Sequence, residues 1–303
     1  MYNDVELTLE GYYRYKNMPK EEDLKHLYEE EYFIKTEEES IENKVGQNYK
    51  FNYTEDEIIY INNESEKIYY LDQKLNNAEK KSFLDIGCGE GFALNFFDKK
   101  GYQVTGLDLN KYACENQNKR ISDKIILGDL YRSMDKLINN GSKFDLIVCM
   151  NVLEHVLWPN ELIKKAKSLL TTKGVFVVRV PNDFSVLQEY LWKKEYINKP
   201  YWVAPPDHIN YFSLQSLKNL GNKLGLKTAD YYMEFPIDIN LLNKNTNYII
   251  NKQVGKDCAK ARNELDNLMC EISIEETINV YRSFAELGIG RNICIYYQHD
   301  SLE

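Results

Sequence analysis

The sequence predicts an α/β fold, a mostly parallel sheet of about seven strands with helices on both faces. Three observations carry this. From Ser82 onward, short apolar runs alternate with amphipathic stretches. A glycine-rich turn joins the first run directly to the first amphipathic stretch, and acidic residues recur where successive runs end.

Residues 1–80 are rich in Tyr, Glu, Asn and Lys and show no strand run. After Pro19, Leu24, Leu27, Tyr28 and Tyr32 fall on one helical face, so this segment is expected to be a helical cap or lid over a core of residues 81–301. In the core, apolar runs at 83–86, 104–107, 124–127, 144–150 and 175–180 read as strands. Between them lie helical patterns through Phe92, Phe96 and Phe97, then around Ala113, then through Met134, Leu137 and Ile138. Leu162, Ile163, Ala166, Leu169 and Leu170 form the fourth pattern, and 213–224 the fifth. Two further strands, 228–235 and 292–297, close the sheet. Residues 182–212 and 236–288 break the alternation and are expected as insertions over the active site.

At 303 residues the chain suits one large core with additions, because single cores stop growing at roughly 250–300 residues. With 47 acidic against 38 basic residues and a net charge of −9, it is not built for a nucleic acid partner. No apolar run approaches the roughly 20 residues that span a bilayer, so no membrane partner is expected. Met1-Tyr2-Asn3-Asp4 lacks the basic-then-apolar pattern of an export signal, and the expected location is cytoplasmic. Cys88, Cys114, Cys149, Cys258, Cys270 and Cys294 are widely spaced without a C-x-x-C pair, which predicts neither disulfides nor a metal site. Leu302-Glu303 follows a polar tail and is set apart from the fold.

The turn reads Asp85-Ile86-Gly87-Cys88-Gly89-Glu90-Gly91. A strand that ends in glycines and opens a helix presents backbone N–H groups and the positive end of a helix dipole to a ligand. A dinucleotide fingerprint, G-x-G-x-x-G, needs glycine at position 92, where the chain has Phe92. The third glycine comes one residue early, at Gly91, and Asp85 stands two before the first. About 20 residues further on, Asp108 ends the second strand, where a carboxylate accepts hydrogen bonds from both hydroxyls of a ribose, and Asp129 follows the third in Gly128-Asp129-Leu130. Any one of these acids also reads as a helix cap or turn residue. Three in phase with the glycine turn mark the carboxyl edge of the sheet, where such folds bind ligands.

Leu84-Asp85-Ile86-Gly87-Cys88-Gly89-Glu90-Gly91 resembles motif I of class I S-adenosylmethionine-dependent methyltransferases, which have a Rossmann-like fold. Cys149-Met150-Asn151-Val152-Leu153-Glu154-His155-Val156, then Trp158-Pro159, resembles a segment of the ubiquinone-biosynthesis O-methyltransferase group. The resemblance implies S-adenosyl-L-methionine as cofactor. Asp85 is implied at its amino end, and the backbone of Gly87, Cys88, Gly89 and Gly91 beneath its amino acid and ribose portions. Asp108 and Leu109 are implied at the ribose, Asp129 and Leu130 at the adenine, and Met150 and Asn151 as backbone contacts. Val180-Pro181-Asn182-Asp183-Phe184-Ser185, the Pro205-Pro206-Asp207-His208 loop and residues 286–292 resemble bacterial members associated with capsule and other surface-polysaccharide biosynthesis.

On the acceptor side a hydroxyl needs a base, and histidine suits neutral pH. Of four histidines, His26 and His299 read as surface residues. His155 follows the fourth strand, and His208 sits in a loop stiffened by two prolines, with Ser213 placed to cap the next helix. Either ring also reads as a packing residue. Among 24 tyrosines, Tyr12, Tyr13, Tyr15, Tyr49 and Tyr53 lie in the N-terminal segment, where one or two are candidates to close over a cationic ligand.

These features predict O-methylation of a small polar acceptor, a sugar hydroxyl or a phosphoryl-type oxygen, nucleotide-linked or phosphorylated. Nitrogen or carbon acceptors, a nucleotide-binding oxidoreductase and a cofactor-binding protein without turnover remain alternatives. Oligomeric state is not legible.

Overall fold

A computed structural model describes residues 2–26, 52–76 and 81–300, with only the backbone at Lys25 and His26. The expected helical positions Leu27, Tyr28 and Tyr32, with Tyr49, Leu302, Glu303 and the His26 side chain, lie outside the described residues.

All seven expected strands form, in one sheet. They are β3 (Ser82–Ile86), β4 (Gln103–Asp108), β5 (Ile125–Leu127), β6 (Phe144–Met150), β7 (Leu170–Pro181), β9 (Leu226–Met233) and β10 (Asn292–His299). Their spatial order is β5-β4-β3-β6-β7-β10-β9. The first five run parallel, and β10 is antiparallel to both β7 and β9. The order reverses direction between β3 and β6, which places a crevice at the carboxyl ends of β3, β4 and β6.

Strand alternation divides the core in two. On one face lie Leu84, Ile86, Ile147, Cys149, Phe176 and Val178, covered by α5 (Leu130–Asn139), α6 (Pro159–Leu169) and α8 (Leu214–Lys223) through Met134, Leu162, Ile163, Leu217 and Leu220. On the other lie Phe83, Leu146, Val148, Val175 and Val177, covered by α2 (Glu55–Leu75), α3 (Phe92–Lys99), α4 (Tyr112–Gln117) and α10 (Ile274–Leu287). Each face removes well over ten large apolar side chains from water, at roughly 1.5–3 kcal/mol apiece.

The N-terminal segment is not purely helical. It holds β1 (Val5–Leu7) and β2 (Tyr13–Tyr15), which form a small antiparallel sheet with β8 (Asn210–Tyr211). Three-residue strands are too short to show a period of two, so their pairing comes from tertiary context. The segment also holds α1 (Glu21–His26) and α2. Thr54 and Glu57 cap α2 reciprocally, and the helix packs on the sheet through Ile68 and Leu71.

The stretch 182–212 leaves the carboxyl end of β7, carries α7 (Val186–Lys193) and packs Leu191, Ile197 and Trp202 against Leu241, with Tyr2 and Phe184 alongside. Past the turn at Ile237–Leu242 come α9 (Gly255–Ile272) and α10. They lie on the face of the sheet that carries α2, where Lys67 Nζ is 2.9 Å from Asp266 Oδ1, and no residue of 236–288 lines the cavity described below. Among the described residues no helix is long and apolar enough to cross a membrane.

Candidate active site

The turn after β3 is built from left-handed backbone. Gly87 has φ +75° and Gly89 φ +48°. The N–H groups of Gly87 and Cys88 donate to Leu107 O at 2.8 and 3.1 Å, which ties the turn to β4. A Cβ on Gly87 would stand 2.5 Å from Val152 Cγ2, so this glycine is needed for packing. A Cβ on Gly89 would meet nothing within 4 Å. Here the bare backbone faces a cavity of about 260 Å³.

Of the residues expected at the cofactor, Gly87, Gly89, Asp108, Leu109, Asp129, Leu130 and Asn151 line this cavity. Asp85, Cys88, Gly91 and Met150 are not part of the lining. Glu21 and Leu24 of α1 and the 156–158 segment complete the wall, so the N-terminal segment does reach the site. Tyr53 donates its hydroxyl to Glu90 Oε1 at 2.6 Å and sets its ring edge-to-face on Phe92, at the glycine turn. Tyr12 and Tyr13 pack instead on Phe212 and Phe184.

The acids are placed by their own contacts. Asp108 Oδ2 accepts from Gly89 N at 2.8 Å, and burial pushes its carboxyl up against the pull of those backbone donors. Asp129 caps α5, accepting from Arg132 N at 2.9 Å, and also lines the cavity. Asp85 is raised to about 8 by burial and by the charge of Asp108. Two buried carboxyls of like charge beside a bare glycine turn fit a ligand with a cationic amino group and a nucleoside, which is the chemistry of S-adenosylmethionine.

Asn151 takes the left-handed conformation at φ +55°, tolerated by Asn better than by most residues. It is held by Arg179, whose backbone oxygen accepts from Asn151 N at 2.8 Å and whose Nη1 donates to Asn151 Oδ1 at 2.8 Å. The same buried guanidinium donates twice to Glu234 and once to Glu64 of α2.

His155 lines the cavity, whereas His208 does not, but the two rings meet edge to face with centroids 4.9 Å apart. The loops that carry them are stitched together. Ile209 N and Asn210 N both donate to Glu154 O, at 2.9 and 3.0 Å, and Asn210 Nδ2 donates to Val156 O at 2.7 Å. Nδ1 of His155 is 2.7 Å from Asp207 O and 3.3 Å from Asp207 Oδ1. Burial opposes the charge of His155, but Glu154 and Asp207 outweigh it and raise the ring to about 9. Burial and the neighbouring His155 lower His208 to about 4, so that ring is neutral. Burial also raises Glu154, to about 7.

Sequence reading did not single out Glu154, Arg179 or Arg291. Glu154 adjoins His155 in sequence, and that adjacency was the available signal. Its convergence with His208, and the Arg291 Nη1 contact to Asp183 at 3.1 Å, arise only when distant loops meet.

A family model described as a methyltransferase domain matches residues 65–230. The chain is 34% identical over 116 residues to a ubiquinone biosynthesis O-methyltransferase of Actinobacillus pleuropneumoniae serotype 7 (strain AP76), covering 36% of this chain and 49% of that protein. It is 26% identical over 167 residues to a protein of the same description from Shewanella halifaxensis (strain HAW-EB4), covering 54% and 71%. The chain thus spans about half the length of the first of these relatives. A crystal structure of a SAM dependent methyltransferase from Archaeoglobus fulgidus aligns at TM-score 0.46 and 18% identity, over 78% of this chain and 93% of that one.

Proposed function

The chain belongs to the family of methyltransferase domains, and from that premise we propose that it transfers a methyl group from S-adenosylmethionine to an oxygen of a small polar acceptor. The observation that carries this is the meeting, in one cavity, of the Gly87–Gly89 backbone, Asp108, Asp129 and His155. The cofactor, when bound, supplies a methyl carbon on a sulfonium: an acceptor lone pair forms the new bond, the C–S pair stays with sulfur, and a hydroxyl acceptor sheds a proton.

The protein's part is to hold the two reactants in line and to make the acceptor hydroxyl give up that proton. Asp108 would take the ribose hydroxyls, Asp129 with Leu130 the adenine, and Asn151 the amino acid end, with Asp85 buried behind the glycine turn and outside the cavity wall. His155 stands at the cavity wall and His208 behind it offers a neutral ring, which supports their acting together on the acceptor hydroxyl.

Oxygen as the acceptor atom is supported by the names of the two curated relatives. The finer reading is a sugar hydroxyl or phosphoryl-type oxygen on an activated, nucleotide-linked or phosphorylated precursor, used in capsule or surface-polysaccharide assembly in the cytoplasm. Its support is the likeness of the 180–185, 205–208 and 286–292 segments to that bacterial group. The test is incubation with S-adenosylmethionine and panels of nucleotide sugars and phosphorylated acceptors. Release of S-adenosylhomocysteine with an O-methyl signal in the product NMR is expected. An N-methyl or C-methyl product, or no release from any member, overturns the acceptor assignment.

A further inference from the structure

Beside the cofactor cavity, Glu154, His155 and His208 each offer a ligand atom within 4.8 Å of the others. We propose that these three side chains bind one divalent transition-metal ion. The proposal deepens the reading above and rests on it for what the ion does to an acceptor; binding of the ion itself does not depend on that reading.

The first argument is an unmet need. Glu154 is 1% exposed, and its Oε2 is buried without a hydrogen-bond partner. An unpartnered buried carboxylate oxygen forfeits about 1–3 kcal/mol or more, which a metal bond restores. Its other oxygen, Oε1, is 3.8 Å from His155 Nε2, too far for a hydrogen bond.

The second is the tautomer. Because Nδ1 of His155 donates to Asp207 O at 2.7 Å, the proton that a metal ion would displace from this ring is the one on Nε2, and Nε2 is the nitrogen that faces Glu154. A ring that donates one N–H to a backbone carbonyl while presenting the other nitrogen is the usual arrangement of a metal-bound histidine.

The third is charge. Glu154 and Asp207 both flank the two rings. Of the guanidinium groups that act on these residues, Arg291 is engaged by Asp183, which also lies 3.9 Å from His208 Nδ1, and Arg179 by Glu234 and Glu64. This pocket favours added positive charge but not two adjacent imidazolium rings. One dication satisfies both conditions.

Two imidazoles and a carboxylate suit Zn²⁺, Mn²⁺, Fe²⁺ or Co²⁺ better than Mg²⁺ or Ca²⁺. Bonds of about 2.0–2.2 Å around a tetrahedral ion put ligand atoms roughly 3.5 Å apart, so the three need to close by about 1 Å. Positions on the ion not taken by protein would be open to an acceptor oxygen, whose hydroxyl proton a bound dication makes easier to lose. The histidines would then act on the acceptor through the ion.

The test uses the full chain, stripped with a chelator and titrated by calorimetry with Zn²⁺, with the visible spectrum of the Co²⁺ adduct as a readout of coordination. The expected result is one ion per chain, with affinity falling at least about 10-fold in both Glu154→Gln and His208→Ala and unchanged in His299→Gln. Circular dichroism identifies any variant that fails to fold, and the isosteric Glu154→Gln keeps the test open if His208→Ala does. No ion bound by the unaltered chain, equal binding by all variants, or a cobalt–thiolate spectrum overturns the proposal. If no ion binds yet His155→Ala and His208→Ala abolish turnover, the ion falls and the methyltransferase reading stands. If the ion binds but no acceptor is methylated, that reading falls and the ion site stands.

Discussion

The rings of His155 and His208 come from different loops and meet edge to face at 4.9 Å, with Asp207 touching both. His155 lines the cavity and His208 stands behind it, and both are proposed to serve the acceptor. His155→Ala and His208→Ala are each expected to keep S-adenosylhomocysteine affinity within a few-fold while lowering turnover at least about 10²-fold. Steady-state kinetics with calorimetry checks this. Unchanged turnover in both would locate activation of the acceptor elsewhere.

Asp85 yields a pH signature. Its folded value is about 8 against an ordinary 3.8, so the fold holds a proton that the unfolded chain releases. Its contribution to stability is therefore present below about pH 4 and lost as pH rises through 8. Asp85→Asn does not titrate. The ligand-free variant should match the parent near pH 4 and exceed it above pH 8 by a few kcal/mol. Thermal unfolding across that range measures the difference, and parallel curves would refute it.

The two glycines of the turn should fail differently. Gly87→Ala drives a Cβ onto Val152 and is expected to cost stability, by about 2 kcal/mol or more. Gly89→Ala meets no protein atom and should cost only about 1–2 kcal/mol for its left-handed backbone. It places a methyl group where the cofactor is proposed to lie, so S-adenosylhomocysteine affinity should fall at least about tenfold, read by calorimetry against the melting curve. A Gly89→Ala protein with full affinity would remove the cofactor from this loop.

Arg179→Met leaves Glu234 and Glu64 without their buried partner and releases the Asn151 side chain. A loss of about 3–5 kcal/mol is expected in denaturant unfolding. Restoration of much of it by Glu234→Met in the same chain would assign the loss to the stranded carboxylate. No restoration would assign it to packing.

What was legible in the sequence is what local chemistry dictates. The inner strands of the large sheet were readable because strands buried on both faces appear as apolar runs, and Phe144–Met150 was bounded without error. Gly87 and Asp108 were readable because a strand-to-helix turn needs a particular backbone and a strand end presents an acid. The Ser213 cap was likewise local. β1 and β2 were missed because three residues carry no period, and α2 because its core face mixes Ile68 and Leu71 with the buried ions Lys67 and Asp72. The positions of α9 and α10 depend on Asp266 meeting Lys67, a pairing no local pattern announces. The convergence of Glu154, His155 and His208 depends on Asn210 joining two loops.

The central claim is that this cavity holds S-adenosylmethionine, and titration of the full chain with S-adenosylhomocysteine and, separately, NAD⁺ tests it most directly. The account predicts one S-adenosylhomocysteine per chain, no comparable NAD⁺ binding, and at least about tenfold weaker binding in Asp108→Ala, which removes a charged acceptor worth about 1.5–3 kcal/mol. NAD⁺ binding tighter than S-adenosylhomocysteine, or S-adenosylhomocysteine affinity indifferent to Asp108, would contradict it.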